Sequence, residues 1–376
     1  MVHIPFNVPA PVGLELEYIS QAIRSSHLSG DGPFTKKCHA WLEKTIGGHA
    51  LLTHSCTGAL EMGALLARLE PGDEAILPSY TFVSTANAVA LRGATPVFVD
   101  IREDTLNIDE RLIEDAVTER TKAILPVHYA GVCAEMDAIN DIAERHNLFV
   151  IEDAAQAFLS TYRGRKAGLL GDAAAFSFHE TKNILSGEGG ALLVRHESLM
   201  TRAEILREKG TNRKQFFRGA VDKYTWVDLG SSYLPSELIA AYLLAQFEQA
   251  EATTRYRLEV CAAYAEAFAP LARDGKVRLP FVPEHCEANG HMFYLILETP
   301  EARDAFIAAM KAAGILAPFH YVPLHSAPAG KKLGRTHGTM DVTDSISARL
   351  VRLPVFFGVK EHQDRIIEAA LESLGK

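Results

Sequence analysis

Cysteine is scarce in this chain of 376 residues, with five at positions 38, 56, 133, 261 and 286. The number is odd, the spacings are wide and no CxxC occurs, which argues against a disulfide framework or a structural zinc site. No metal is expected. A run of Lys or Arg able to track a phosphate backbone is also missing, and the formal net charge is −9. Nucleic acid and an acidic membrane surface are therefore not the expected partners. The most apolar stretches fall far short of a membrane span. The opening MVHIPFNVPA has no basic segment followed by an apolar core, so it is not read as a signal peptide. A cytoplasmic protein is expected. Internal repeats and low-complexity tracts are lacking too.

What is present is an ordinary globular composition, 48% hydrophobic and 23% charged. The length exceeds one hydrophobic core, so two domains are expected. Between residues 51 and 200 short apolar runs alternate with longer amphipathic ones. Ala75–Leu77, Thr95–Asp100, Lys122–Val127, Leu148–Ile151, Ala173–Phe178 and Gly190–Val194 read as strands, and Met136–His146 as a helix. This alternation predicts an α/β fold with a largely parallel sheet covered on both faces, whose ligands sit at the carboxyl ends of the strands. From about residue 235 the pattern changes. Ser236–Arg257, Leu258–Leu271, Pro300–Ala313 and Glu361–Leu374 read as helices, and His291–Glu298 as a strand. A smaller C-terminal α+β domain is expected, with 1–247 forming the large domain and 248–376 the small one.

Five segments carry groups suited to chemistry. Ser55–Glu61 (SCTGALE) sets small residues before a helix, whose first N–H groups can meet an anion or simply be capped. Phe149–Gln156 ends a buried strand in Asp153, which could pair with a protonated ring nitrogen or cap the next helix. Ser177–Asn183 places Lys182 just after a strand end, either as an imine-forming nucleophile or as a solvated lysine. Gly187–Gly190 offers unusual backbone freedom or only a turn. Pro78–Phe82 puts an aromatic at a strand end, where it can stack on a flat ligand or belong to the core.

Order and spacing together say more than any one segment. They resemble the DegT/DnrJ/EryC1/StrS sugar aminotransferase family over nearly the whole chain. Further matching segments are Gly93–Asp100, Leu106–Asp109, Thr121–His128, Met136–Ile139, His320–His325 and Leu353-Pro354. The resemblance implies a fold-type I, aspartate aminotransferase-like enzyme dependent on pyridoxal 5'-phosphate. It implies Lys182 as the catalytic residue that holds the cofactor, Asp153 on its pyridine nitrogen, Gln156 on its phenolic oxygen and Phe82 on its ring. The backbone of Thr57, Gly58 and Ala59 and the hydroxyl of Ser177 would hold its phosphate. Ser232 stands where many members place an Asn that reaches the neighbouring subunit's phosphate, and Leu234 where they place an Arg. Cys56 replaces a commoner glycine. A homodimer, or a dimer of dimers, with shared active sites is implied.

The segments Ser55–Glu61, Gly230–Glu237 and Pro318–Leu324 are similar to members that move an amino group from L-glutamate to C4 of dTDP-4-dehydro-6-deoxyglucose in enterobacterial common antigen synthesis. His320 and His325 are candidates to meet the nucleotide-linked keto sugar, or are packed or surface histidines. Amination at C3 is the alternative within the family. Relatives that dehydrate a sugar carry His where Lys182 stands. A regulatory homologue without catalysis would be free to lose Lys182 or Asp153.

Overall fold

The computed structural model describes residues 3–375. In chain order the strands are β1 His49–Thr53, β2 Glu74–Pro78, β3 Thr95–Val99, β4 Thr121–Ile124, β5 Phe149–Asp153, β6 Thr161–Tyr162, β7 Arg165–Lys166, β8 Ala173–Ser177, β9 Gly190–Val194, β10 Val277–Arg278, β11 Cys286–Glu287, β12 Phe293–Leu297, β13 Arg335–Thr336 and β14 Leu350–Leu353. The main sheet runs β1-β9-β8-β5-β4-β2-β3-β13. From β8 through β13 every pairing is parallel, while β9 runs antiparallel to both β8 and β1. The sequence reading of a mostly parallel α/β sheet is what the chain adopts.

Alternation along the strands explains the two covered faces, since successive side chains point to opposite sides. Ile76, Val150 and Phe176 enter one apolar cluster with Leu42, Ile139 and Leu243 from covering helices. Ala75, Leu77 and Ile151 enter the other, with Leu60, Val89 and Leu206. Both faces being buried, the strands read as continuous apolar runs.

A third core joins Val260, Tyr264, Phe293, Phe306 and Ile366, and is built on the antiparallel sheet β10-β12-β14. We propose the domain boundary at 247/248, because Leu243 and Phe247 pack in the large core whereas Val260 and Tyr264 pack in the small one. Several segments cross that line, among them β11, which pairs with β6 and buries Cys286 in the large core. Ile4 packs in the small core, and β13 returns to the edge of the main sheet beside β3.

The long helical stretch is divided differently from expectation. It breaks at Gln249 (φ −107°, ψ 7°), giving helices Glu237–Glu248 and Ala250–Arg273, not at Arg257/Leu258. Phe247 is held by a stack on Trp41 at 4.5 Å, and Ala250 just past the break still packs in the large core. No proline or glycine marks this turn in the sequence. Among the described residues no helix is long and apolar enough to cross a membrane.

Candidate active site

The parallel strands bring their carboxyl ends to one edge. Pro78 leads there into Ser79–Phe82, β5 ends in Asp153 and β8 in Ser177. Gly190, which opens β9, pairs with both Ser177 and Thr53, so the end of β1 arrives at the same edge. A side chain at Gly190 is excluded by close approach, because its Cβ would lie 2.4 Å from the Ser55 carbonyl carbon and 2.5 Å from the Cys56 nitrogen. The helix Cys56–Leu66 therefore begins against the strand ends.

These elements frame a cavity of about 610 Å³, lined on one side by Thr57, Phe82, Asp153 and Lys182 and on the other by His320 and Arg352. Lys182 is held in a tight turn, its N–H donating to the His179 carbonyl at 2.9 Å. Burial in the cavity lowers its pKa below the ordinary lysine value; Cys56 and Asp153 oppose the shift, and the Arg352 charge adds to it. Its neighbour Asn183 ties the turn to the small domain, donating to the Asn289 carbonyl and meeting His291 Nδ1, both at 2.9 Å. Asp153 faces the cavity with Oδ2 accepting from Thr85 Oγ1 at 2.6 Å and Oδ1 from the Ala155 N–H at 3.2 Å. Gln156 accepts from the Ala130 N–H through Oε1 at 2.7 Å and donates through Nε2 to the Tyr321 hydroxyl at 2.9 Å. Phe82 lines the cavity with its side chain 56% exposed, an open apolar face that a flat ligand would cover.

The anion cup is narrower than the sequence implied. Gly58 and Ala59 do not line the cavity. The Gly58 N–H donates to the Ser55 side chain at 3.1 Å and the Ala59 N–H to the Ser55 carbonyl at 3.2 Å, so Ser55 takes both as the helix cap. Cys56 and Thr57 keep N–H groups without a protein partner among the described residues. Beside them lie the Thr57 and Ser84 hydroxyls, 2.7 Å apart, and Ser177. Sequence reasoning missed Ser84, the second residue of the helix Val83–Ala90. Burial pushes the Cys56 thiol well above its ordinary pKa, so it stays a neutral thiol at the helix start.

The two histidine candidates part company. His320 lines the cavity, but burial drives its pKa well below the usual value and its Nδ1 meets the Tyr129 hydroxyl at 2.8 Å. It is a neutral wall group. His325 does not line the cavity; its ring is held by the Ser79 hydroxyl at 2.7 Å and lies 3.4 Å from Asp344. The packed-histidine reading applies to His325. Ser232 is exposed and outside this chain's cavity, paired through its backbone with Glu208. Sequence reasoning also missed Tyr321 and Arg352, which complete the wall.

The DegT/DnrJ/EryC1/StrS aminotransferase family model matches residues 12–371. The chain belongs to this family. The aminotransferase is 34% identical over 376 residues to the spore coat polysaccharide biosynthesis protein SpsC of Bacillus subtilis, covering 97% of this chain and 96% of that one. It superposes on S. venezuelae DesV, solved with a ketimine intermediate, at a TM-score of 0.90, with 31% identity and full coverage of both chains. It also matches a sugar aminotransferase of Streptococcus pneumoniae in its PLP form, at a TM-score of 0.88 and 26% identity over 99% of each chain. The fold is that of the fold-type I enzymes, the activity is that of a sugar aminotransferase, and the cofactor is pyridoxal phosphate. The cavity suits that cofactor: a cup of free N–H and hydroxyl donors, a buried carboxylate, an open aromatic face and a lysine share one strand edge.

Proposed function

We propose that this sugar aminotransferase moves an amino group from L-glutamate to C4 of dTDP-4-dehydro-6-deoxy-D-glucose, giving dTDP-4-amino-4,6-dideoxy-D-galactose and 2-oxoglutarate. The observation that carries the amino-transfer chemistry is Lys182 in the cavity, with its pKa lowered by burial and Asp153 on the same edge. The choice of sugar is supported by the resemblance in Ser55–Glu61, Gly230–Glu237 and Pro318–Leu324. The product suits surface-glycan synthesis of the common-antigen kind. A nucleotide sugar and free glutamate as substrates fit a cytoplasmic enzyme.

Each residue then has a role. Bound pyridoxal phosphate supplies an electron-poor ring that accepts charge from the carbon bearing the amino group. Lys182 Nζ holds the cofactor and later carries the proton to and from that carbon, always from one face, which fixes the configuration at C4. A carboxylate at Asp153 holds the ring nitrogen protonated. Gln156 Nε2, now on Tyr321, is placed to turn to the phenolic oxygen. Phe82 covers one ring face. The Cys56 and Thr57 N–H groups and the hydroxyls of Thr57, Ser84 and Ser177 would hold the cofactor's phosphate. In a homodimer the exposed Ser232 loop reaches the neighbouring subunit's phosphate.

The test is product analysis by mass spectrometry and NMR after incubation with L-glutamate and the keto sugar. An amino group at C4 in the galacto configuration is expected. Amination at C3, or a gluco product, would overturn the choice of substrate and leave the family chemistry standing.

A further inference from the structure

Asn183, Asn289 and His291 tie the two domains together beside Lys182. Asn289 is buried; its Nδ2 donates to the Gln156 and Phe158 carbonyls, both at 2.9 Å, and its Oδ1 accepts from the His291 N–H at 3.0 Å. Arg257, from the long helix Ala250–Arg273, holds the same loop through the carbonyls of Gly290 (Nε, 3.0 Å) and His291 (Nη2, 2.6 Å). Gly290 has φ +64°, and a Cβ there would lie 2.9 Å from the Arg257 carbonyl carbon and from the Leu258 nitrogen, so the loop sits hard against the helix. His291 is thereby fixed at one place on the cavity wall, just before β12 begins.

The hydrogen bonds decide which nitrogen of His291 carries the proton. Asn183 is buried and its Nδ2 donates to the Asn289 carbonyl, so the oxygen of that amide is the atom that faces His291. An amide oxygen only accepts, so His291 Nδ1, 2.9 Å away, must be protonated. Burial, with the charges of Lys182, Arg257 and Arg352 around it, drives the His291 pKa well below the usual value. The ring is therefore neutral and its other nitrogen, Nε2, is a bare acceptor. Among the described residues Nε2 has no hydrogen-bond partner. Lys182 Nζ is a donor equally without a partner among the described residues. The two side chains line one cavity, and Asn183, which follows Lys182 in the chain, is bonded to His291.

We propose that His291 is a positioning residue whose Nε2 accepts a hydrogen bond from Lys182 Nζ and aims that amine at the reacting carbon. This rests on the reading of Lys182 as the group that holds the cofactor and carries the proton. A lysine amine rides on a flexible four-carbon stem, and once freed from the cofactor it can turn away from the carbon it must serve. Proton transfer needs its lone pair within reach of that carbon and pointed at it. An acceptor that takes one Nζ–H fixes where the lone pair goes. The other groups facing Lys182 are spent or unsuited. Asp153 accepts from Thr85 and Ala155, Cys56 is a neutral thiol, and Arg352 only donates. His179 Nδ1, on the same loop, is engaged by Thr181 Oγ1 at 2.9 Å. His291 alone among them combines an unused acceptor with a loop bonded to the large domain through Asn289 and continuous with β12 of the small one.

The experiment compares His291→Asn with His291→Gln, each as the cofactor-loaded enzyme and as the apoenzyme. Asparagine puts an N–H where Nδ1 stands and keeps the tie to Asn183, but has nothing at the place of Nε2. Glutamine reaches the place of Nε2 with an oxygen and gives up the tie. Single-turnover conversion of the cofactor by L-glutamate is followed by absorption, with ordinary and α-deuterated donor. Cofactor capture by the apoenzyme is followed against pH. For His291→Asn we expect conversion to slow about 5- to 10-fold, the worth of one neutral hydrogen bond, with a larger deuterium effect because proton transfer is the slowed step. Losing an acceptor for the ammonium also favours the free amine, so the capture plateau should move to lower pH by roughly half to one unit. His291→Gln should recover most of both. A His291→Gln enzyme no better than His291→Asn would show that only the tie to Asn183 matters, and would overturn the proposal. So would a deuterium effect or a capture plateau unmoved in His291→Asn. If Lys182→Ala captured the cofactor and reacted as the wild type does, the reading of Lys182 itself would fall, and the proposal with it.

Discussion

Glu152 and Asp153 are adjacent carboxylates at the end of β5, and the structure predicts opposite consequences for removing their charges. Successive residues of a strand face opposite sides, so the two groups meet different surroundings. Glu152 is fully buried and takes three backbone donors, from Gly168 (2.8 Å), Leu170 (2.7 Å) and Gly171 (2.8 Å). It also takes His128 Nε2 at 2.9 Å; because His128 Nδ1 accepts from the Ala134 N–H at 3.2 Å, the ring proton sits on Nε2 and is donated to Glu152. Every contact of Glu152 is thus an acceptor contact, and its role is to fasten the 168–171 loop under the sheet. Glu152→Gln keeps the size and replaces one acceptor oxygen with an NH₂ group. Whichever way the amide turns, the NH₂ confronts two donors: Gly168 and His128, or Leu170 and Gly171.

Two buried donors without acceptors cost roughly 1–3 kcal/mol each, so about 3 kcal/mol is a fair expectation for the pair. For a chain of this length that lowers Tm by about 4 °C. Asp153→Asn keeps an oxygen for the Thr85 hydroxyl, gives up only the longer 3.2 Å contact with the Ala155 N–H at the open cavity, and should lower Tm by about 1 °C. Its turnover should fall by roughly 10- to 100-fold, the worth of one charge-assisted contact in the reacting state. The assay is thermal unfolding and steady-state amino transfer on both variants, each loaded with cofactor. A stable, slow Glu152→Gln beside an unstable, fast Asp153→Asn would refute the assignment of faces.

Lys182→Ala should leave a folded protein that binds the cofactor without a covalent link, and its amino transfer should fall by several orders of magnitude; an absorption spectrum and a turnover assay check this. Burial lowers the Lys182 pKa, so the free amine that captures the cofactor appears at lower pH than for an ordinary lysine. Cofactor capture by the apoenzyme should therefore rise with pH and level off below the ordinary lysine range, and Arg352→Met should move that plateau to higher pH. A plateau unmoved by Arg352→Met would show that the two cations do not interact. Mixing Lys182→Ala with an inactivating Ser232 variant should restore partial activity if active sites are shared across a dimer; a fully active monomer by mass measurement would end that idea.

Much of the site was legible because its chemistry lies at strand ends, and strand ends are where apolar runs stop. Lys182, Asp153 and Ser177 each follow a buried run and each lines the cavity. What escaped was set by geometry that spacing does not encode. Whether the Gly58 N–H is free depends on which way the Ser55 side chain turns, and it turns onto Gly58, while the Ala59 N–H is taken by the Ser55 carbonyl. The break at Gln249 lies just past Phe247, which Trp41 holds by stacking from some two hundred positions away, a contact that spacing does not show. His320 and His325 share one Pro-bounded loop, yet one faces the cavity and the other Ser79.

Arg352 did leave a trace: a cation within Leu350-Val351-Arg352-Leu353, a strand that the small core buries on both sides of it. A charge in such a strand needs either a partner or a ligand, and only the fold could show that the partner is missing. The same reasoning separates the two ends of the cavity. The large domain offers N–H and hydroxyl donors around a fixed phosphate position, a rigid arrangement built on a helix start and three strands. The small domain offers Arg352 among neutral aromatic groups, a cation held by the Phe319 carbonyl alone and facing the same cavity as Lys182. Because both substrates must use one lysine in turn, a single unpaired cation near that lysine is better suited to their alternation than a permanent ion pair.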